Sequence, residues 1–278
     1  MTVNPFDETY HSLLNHVMKH GEQKKDRTGT GTISCFAVPS CEYDISETFP
    51  LITTKRIHTK SVVGELLWFL SGDTNISYLK ENGINIWNEW ADKNGDLGFV
   101  YGASWRKAPK INYTREGNTV TGRVDQVQNL IDGLKNDPDG RRHILAAWNP
   151  STNHMAALPP CHAFVQFYVT GSGHLECHLY QRSADLFLGV PFNIASYSLL
   201  TYIIAAECGL KPGRFIHSFG DAHIYVNHME QVEAQLSRSA YESCTLQFSK
   251  KPWNQYEISD FTFADYRYHP SIKAPIAV

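Results

Sequence analysis

The stretch from Leu158 to Asn193, LPPCHAFVQFYVTGSGHLECHLYQRSADLFLGVPFN, constrains this chain more than any other. Ala163 to Val169 is an uncharged run dominated by Phe, Val and Tyr, the pattern of a buried strand. Gly171-Ser172-Gly173 reads as a turn. A second strand then leads to Arg182 and Asp185, and a loop delivers Asn193. One hairpin of this kind brings a thiol (Cys161), a guanidinium, a carboxylate and an amide into one neighbourhood. A lone cysteine beside an apolar strand is ordinarily core packing, but the polar company argues for chemistry. Cys161 and His162 are adjacent, and neighbours on a strand point to opposite faces, which argues against a hydrolase-type Cys/His pair. A nearby Arg182 would instead stabilise a thiolate.

The remaining sequence bounds the class. A chain of 278 residues can bury a large core, and with no repeat, low-complexity segment or linker it reads as a single domain over residues 1–278. Its net charge of −3 gives no basic field for nucleic acid. No run of about 18 apolar residues suggests a membrane span, and MTVNPFDETY has no apolar export core. Six cysteines, at 35, 41, 161, 177, 208 and 244, form no C-x-x-C pair, so no metal is expected. Free thiols and a cytoplasmic location fit this usage.

In chain order, Asn4-Pro5 opens a helix whose apolar face is Phe6, Tyr10, Leu13, Leu14, Val17 and Met18, with Gly21 ending it. DRTGTGTIS is a Gly-rich loop, but Ser34 breaks a dinucleotide fingerprint and no P-loop is present. Residues 32–45 read as strand. Residues 59–71 read as an apolar helix ended by Gly72, with Glu65 inside it. That carboxylate either points outward or is buried, and burial would raise its pKa. Trp87 and Trp90 fall at i and i+3 of a predicted helix over 84–91. Residues 107–122 are a surface excursion, 124–135 an amphipathic helix, and HILAAWNP a strand. Residues 193–209 read as an apolar helix too short to cross a membrane. RFIHSFG is a strand, and GDAHIYVNHMEQVEAQL reads as a helix with His223 and Tyr225 near its start. His223 and His228, five apart, lack the spacing of a helical metal pair. The order of elements is α+β.

PPCHAF, QRSADLFLGVPFN and GDAHIY, with DRTGTG, ELLWFLSGDTN, IWNEWAD and the tail IKAPIAV in the same order, resemble the signature segments of the folate-dependent thymidylate synthases. The resemblance runs from Asp26 to Val278. It implies a single domain with a large mixed β-sheet flanked by helices. It also implies a homodimer whose small-molecule substrates are dUMP and 5,10-methylenetetrahydrofolate, the latter a consumed cosubstrate, with no membrane and no obligatory nucleic acid.

Carried over by residue, the resemblance makes Cys161, Glu65, Tyr101, Arg182, Asp185 and Asn193 catalytic. It assigns the nucleotide to Arg27, Arg182, Ser183, Ala184, Asp185, Asn193, His223, Ile224 and Tyr225, with the partner's Arg141 and Arg142 reaching its phosphate. It assigns the folate to His58, Ile86, Trp87, Trp90, Asp185, Leu188, Gly189, Phe192 and Ala277, the tail acting as a lid. The chain departs from the usual pattern at Asn88, Phe99, Ala103, Ser104 and His143. A pyrimidine nucleotide 5-hydroxymethylase of the same family, acting on dUMP or on CMP or dCMP, is the sister activity. A nucleotide- or RNA-binding protein without catalysis is a further alternative, against which Cys161, Glu65 and Asn193 are all kept.

Overall fold

The computed structural model describes residues 4–277. Val278, the last residue of the expected lid, lies outside them. Helix α1 (Pro5–His20) begins where Asn4 accepts a hydrogen bond from the Phe6 amide at 3.0 Å. It buries Phe6, Tyr10, Leu13, Leu14 and Val17. Asp7 on the same helix is buried, and accepts from the amides and hydroxyls of Thr53 and Thr54, both hydroxyls at 2.7 Å. A buried carboxylate is tolerated because these donors replace water.

After α1 come the short strands β1 (Glu22–Lys24), β2 (Thr32–Phe36) and β3 (Cys41–Asp44). The strand expected over 32–45 is thus two strands, interrupted where Ala37 takes a positive φ of 55° and Pro39 follows. Helix α2 (Thr59–Ser71) ends at Gly72 in the left-handed conformation that glycine adopts without strain. Next follow α3 (Ser77–Glu81), α4 (Tyr101–Arg106), the exposed hairpin β4 (Ala108–Thr114) and β5 (Gly117–Val124), α5 (Gln126–Asn136) and β6 (Ile144–Ala146). The expected helix over 84–91 is a run of turns. Trp87 and Trp90 still meet, their rings edge-on with centroids 5.8 Å apart.

The core is organised by β7 (His162–Val169), β8 (His174–Asp185), α6 (Gly189–Cys208) and β9 (Lys211–Tyr225). The seven-stranded sheet has the order β1-β2-β9-β8-β7-β6, with β3 also paired to β9. Only β8 and β9 run parallel, joined by α6 as a crossover, so the sheet is mixed and the fold α+β. Helix α6 is apolar on all sides, as a helix buried in a core must be. At 20 residues it is long and apolar enough to cross a membrane, contrary to the sequence expectation, but 78% of its apolar 18-residue window is buried inside the protein. It also begins four residues earlier than expected, so Asn193 sits on a helix rather than on a loop. His223 and Tyr225 lie on β9. The helix that follows, α7 (Met229–Leu236), starts after them. A small pair, β10 (Thr245–Gln247) and β11 (Thr262–Ala264), precedes a tail without regular structure.

Candidate active site

Strand register builds the site. Antiparallel pairing sets His162 against Gln181, and just before β7 the Cys161 carbonyl accepts from the Arg182 amide at 2.9 Å. Parallel pairing sets Ser183 beside Asp221 and Asp185 beside His223. The strands can approach this closely because residue 220 is glycine: a Cβ there would lie 2.6 Å from the Arg182 carbonyl oxygen. Helix α6 starts after the three residues that follow β8 and supplies Gly189, Phe192 and Asn193, with Leu188 as the residue that caps it.

These residues line one cavity of about 1040 Å³. Its basic members are Lys24, Lys25, Arg27, Arg182 and Lys273. Its polar lining includes Cys161, Tyr101, Ser183, Asp185, Asn193, His223 and Tyr225. Ile86, Trp87, Trp90, Leu188 and Phe192 give it an apolar wall, with Glu65 against Trp87. Such a space exceeds the usual size of a site for one small ligand.

The Tyr101 hydroxyl accepts from the Cys161 amide at 2.8 Å and so fixes the backbone under the thiol. Arg182 donates to the carbonyls of Pro159 (2.6 Å) and Pro160 (2.8 Å) and lies over the Trp148 ring at 5.1 Å. Burial pushes the Cys161 thiol up, and the Arg182 guanidinium works against that. Burial also holds His162 down to about 4, so it is a weak base. Desolvation keeps Tyr101 protonated far beyond the usual phenol range. The Asn193 side-chain oxygen is buried without a hydrogen bond of good geometry, although it lies near enough to the His162 ring to raise that ring's pKa against burial, so its desolvation is incompletely compensated in the protein alone. Asp185 accepts from the amides of Phe187 and Leu188 at 2.9 and 3.1 Å. Hydrogen bonding from His223 holds the Asp221 carboxyl down to about 2.

Glu65 is the inward alternative of the two that the sequence left open. Burial raises it to about 7, partly offset by the 2.7 Å hydrogen bond from Trp87 Nε1. Because its folded pKa exceeds the ordinary 4.5, the folded protein keeps a proton that the unfolded chain releases. Stability contributed by the protonated form is full below pH 4.5 and is lost as pH rises through about 7. Glu65→Gln, which cannot ionise, is therefore expected to gain stability over the native protein at pH 8, by up to about 3 kcal/mol. Little gain is expected at pH 4.5. Denaturant unfolding at both pH values checks this, and an equal effect at the two would refute it.

Several candidate residues lie elsewhere. His58 is exposed at the start of α2, hydrogen-bonded to Ser61 at 2.7 Å, and is not in the cavity lining. Arg141 and Arg142 are exposed and outside it in the single chain. Ala184 and Ile224 are fully buried in the sheet behind the lining. Sequence reasoning missed Lys24, Lys25, Gln181 and Asp221, which reach the cavity from β1, the residue after it, β8 and β9 respectively. A cluster of lysines beside the Arg27 loop was the available signal for the first two. Tail residues Ile272, Lys273, Ala274, Ile276 and Ala277 also line it.

The family model described as Thymidylate synthase matches residues 8–278. The chain belongs to the thymidylate synthase family. Thymidylate synthase family members are enzymes of methyltransferase type, generally dimeric, that act on small molecules with a folate cosubstrate. Among the described residues no three His, Cys, Asp or Glu side chains are grouped to hold a metal.

Proposed function

We propose that the chain is a thymidylate synthase, converting dUMP to dTMP with 5,10-methylenetetrahydrofolate as a consumed cosubstrate. The observation that carries this reading is one cavity holding both the Cys161 thiol and the unpaired amide oxygen of Asn193. Uracil offers a ring N–H donor and an oxygen-4 acceptor. The Asn193 amide, with one acceptor and two donors, answers both.

In this reading the Cys161 thiolate adds to carbon 6 of the uracil ring. A sulfur–carbon bond forms, and the π electrons move toward carbon 5 and oxygen 4. The charge growing on oxygen 4 is met by the Asn193 N–H. Glu65, near 7, is poised to give and take protons through water at neutral pH. The neutral Tyr101 hydroxyl holds the water that removes the carbon-5 proton. Arg27, Arg182 and Ser183 hold the phosphate, arginine forks matching its geometry, while His223 and Tyr225 read the ribose. The apolar wall of Ile86, Trp87, Trp90, Leu188 and Phe192, with Asp185 for polar contact, suits a flat pterin. When bound, the folate would supply the one-carbon unit and the hydride that reduces it, and the carbon 6–sulfur bond then breaks to free the product and return the Cys161 thiolate. Trp87 packs against Trp68, Phe69, Trp90 and Tyr101, centroids 5.8–6.5 Å apart, which supports exclusion of water from that step.

The nucleotide product, identified by mass spectrometry after incubation with dUMP and methylenetetrahydrofolate, tests the assignment. A methyl group at carbon 5 supports it, and a hydroxymethyl group would make the chain a hydroxymethylase.

The site is completed in a homodimer by Arg141 and Arg142 of the second copy. Their exposure away from their own cavity supports this. An Arg142→Glu chain mixed with a Cys161→Ser chain is expected to recover activity through heterodimers that hold one intact site. No recovery under conditions that demonstrably exchange subunits would contradict shared sites. Six free cysteines support a reducing cytoplasm as its location.

A further inference from the structure

The tail from Ser271 to Ala277 has no helix or strand, yet five of its residues line the cavity. Upstream it is tied at several points: the His269 amide donates to the Thr53 carbonyl at 2.9 Å, and Arg238 donates to the Pro270 carbonyl at 2.8 Å. Beyond Pro270, among the described residues, one hydrogen bond remains, from His228 Nε2 to the Pro275 carbonyl at 2.7 Å. The rest of the His228 ring is fully buried, packed against Phe187 (5.6 Å between centroids) and edge-on to Tyr225 (5.5 Å). With Nε2–H donated, Nδ1 has no partner, so the ring carries one purpose-placed donor on a rigid mount. Ile272 and Ala274 pack against the core only partly buried, so a tail tied by one hydrogen bond sits near the balance between docked and undocked: that bond and the partial burial offset only part of the entropy of ordering several residues.

We propose that His228 is a positioning residue whose hydrogen bond to Pro275 latches the C-terminal tail over the cavity and so sets the affinity for the larger, flat cosubstrate. The consequence for the cosubstrate rests on the reading of the site as one that takes a nucleotide and a folate. The latch itself does not. His228 has no contact with the thiol, and its side chain is not in the cavity lining. Its loss should therefore free the tail and leave the nucleotide half intact.

Two replacements separate the donor from the ring. His228→Phe keeps an aromatic ring against Phe187 and Tyr225 and removes the donor. His228→Gln keeps an N–H at similar reach and removes the ring. The first readout needs no turnover: carboxypeptidase A trims apolar C-terminal residues and stops when proline is next to last, so release of residues 277 and 278 reports undocking. His228→Phe is expected to be trimmed about five- to tenfold faster than the native protein, with His228→Gln close to native. The second readout is kinetic: the folate KM rises by a similar factor in His228→Phe, while the equilibrium Kd for the nucleotide stays within about twofold. Equal trimming rates in native and Phe proteins would overturn the latch. So would equal acceleration in Phe and Gln variants, which indicates general loosening. A native protein that is trimmed as described but turns over neither substrate would leave the latch standing and remove the functional reading.

Discussion

Cys161→Ser is expected to lower turnover by roughly 10⁴-fold or more, the scale seen when a nucleophile is deleted from an enzyme, while dUMP still binds. A serine hydroxyl is a far weaker nucleophile at neutral pH and needs an adjacent base. Neither residue next to position 161 supplies one. His162 is the nearest by sequence, and burial holds it down to about 4. Tyr101 accepts the Cys161 backbone N–H, a contact that serine at 161 would keep, and burial keeps its own hydroxyl protonated, so it is no base. The basic and hydroxyl groups for the phosphate, Arg27, Arg182 and Ser183, are untouched. Calorimetry should therefore give a nucleotide Kd within about threefold of the native value, alongside a steady-state rate at background. Turnover near native in purified variant would remove Cys161 as the nucleophile.

Asn193→Asp is expected to move base preference from dUMP toward dCMP by about ten- to a hundredfold in kcat/KM. Asn193 is almost fully buried and its side-chain oxygen is unpaired, so any base it meets is read in a dry setting. There each mismatched polar contact costs roughly 1–3 kcal/mol. An ionised aspartate offers only acceptors. It would leave oxygen 4 of uracil unpaired and repel the charge that grows there. Cytosine presents an amino donor at carbon 4 and an unprotonated ring nitrogen. Aspartate accepts from the first and, when protonated, donates to the second. Rates for both nucleotides at saturating folate check this. An unchanged ratio would mean that Asn193 does not read the base edge.

Helices with ordinary punctuation were legible in the sequence. Asn4-Pro5 and Gly21 bracket α1, and Gly72 closes α2. The hairpin of β7 and β8 followed from its apolar runs and the glycine turn. The start of α6 was not legible because Gly189 and Pro191 look like a loop, yet proline costs little in a first turn whose amides have no intrahelical partner. The end of β9 was hidden for a different reason. Asp221, His223 and Tyr225 face the cavity, so function replaced the apolar alternation that marks a strand. The tryptophans at 87 and 90 meet through turns, which share local proximity with a helix but leave no period to read.

The site itself was legible largely through resemblance. Spacing alone indicated Cys161, Arg182, Asp185 and Asn193 as neighbours, and the cavity contains all four. Lys24, Lys25, Gln181 and Asp221 come from segments whose closeness is created by strand register, which single residues do not announce. His58 shows the converse: a residue carried over from the family pattern that stands exposed and away from the lining.

The most direct test is the stoichiometry of one reaction mixture containing the purified chain, dUMP and 5,10-methylenetetrahydrofolate, with dihydrofolate and nucleotide product measured together. One dihydrofolate formed for each dTMP is the expected result, because the folate gives up both the carbon unit and the hydride. A 5-hydroxymethyl nucleotide formed with tetrahydrofolate and no dihydrofolate, or no product at all, would contradict the account.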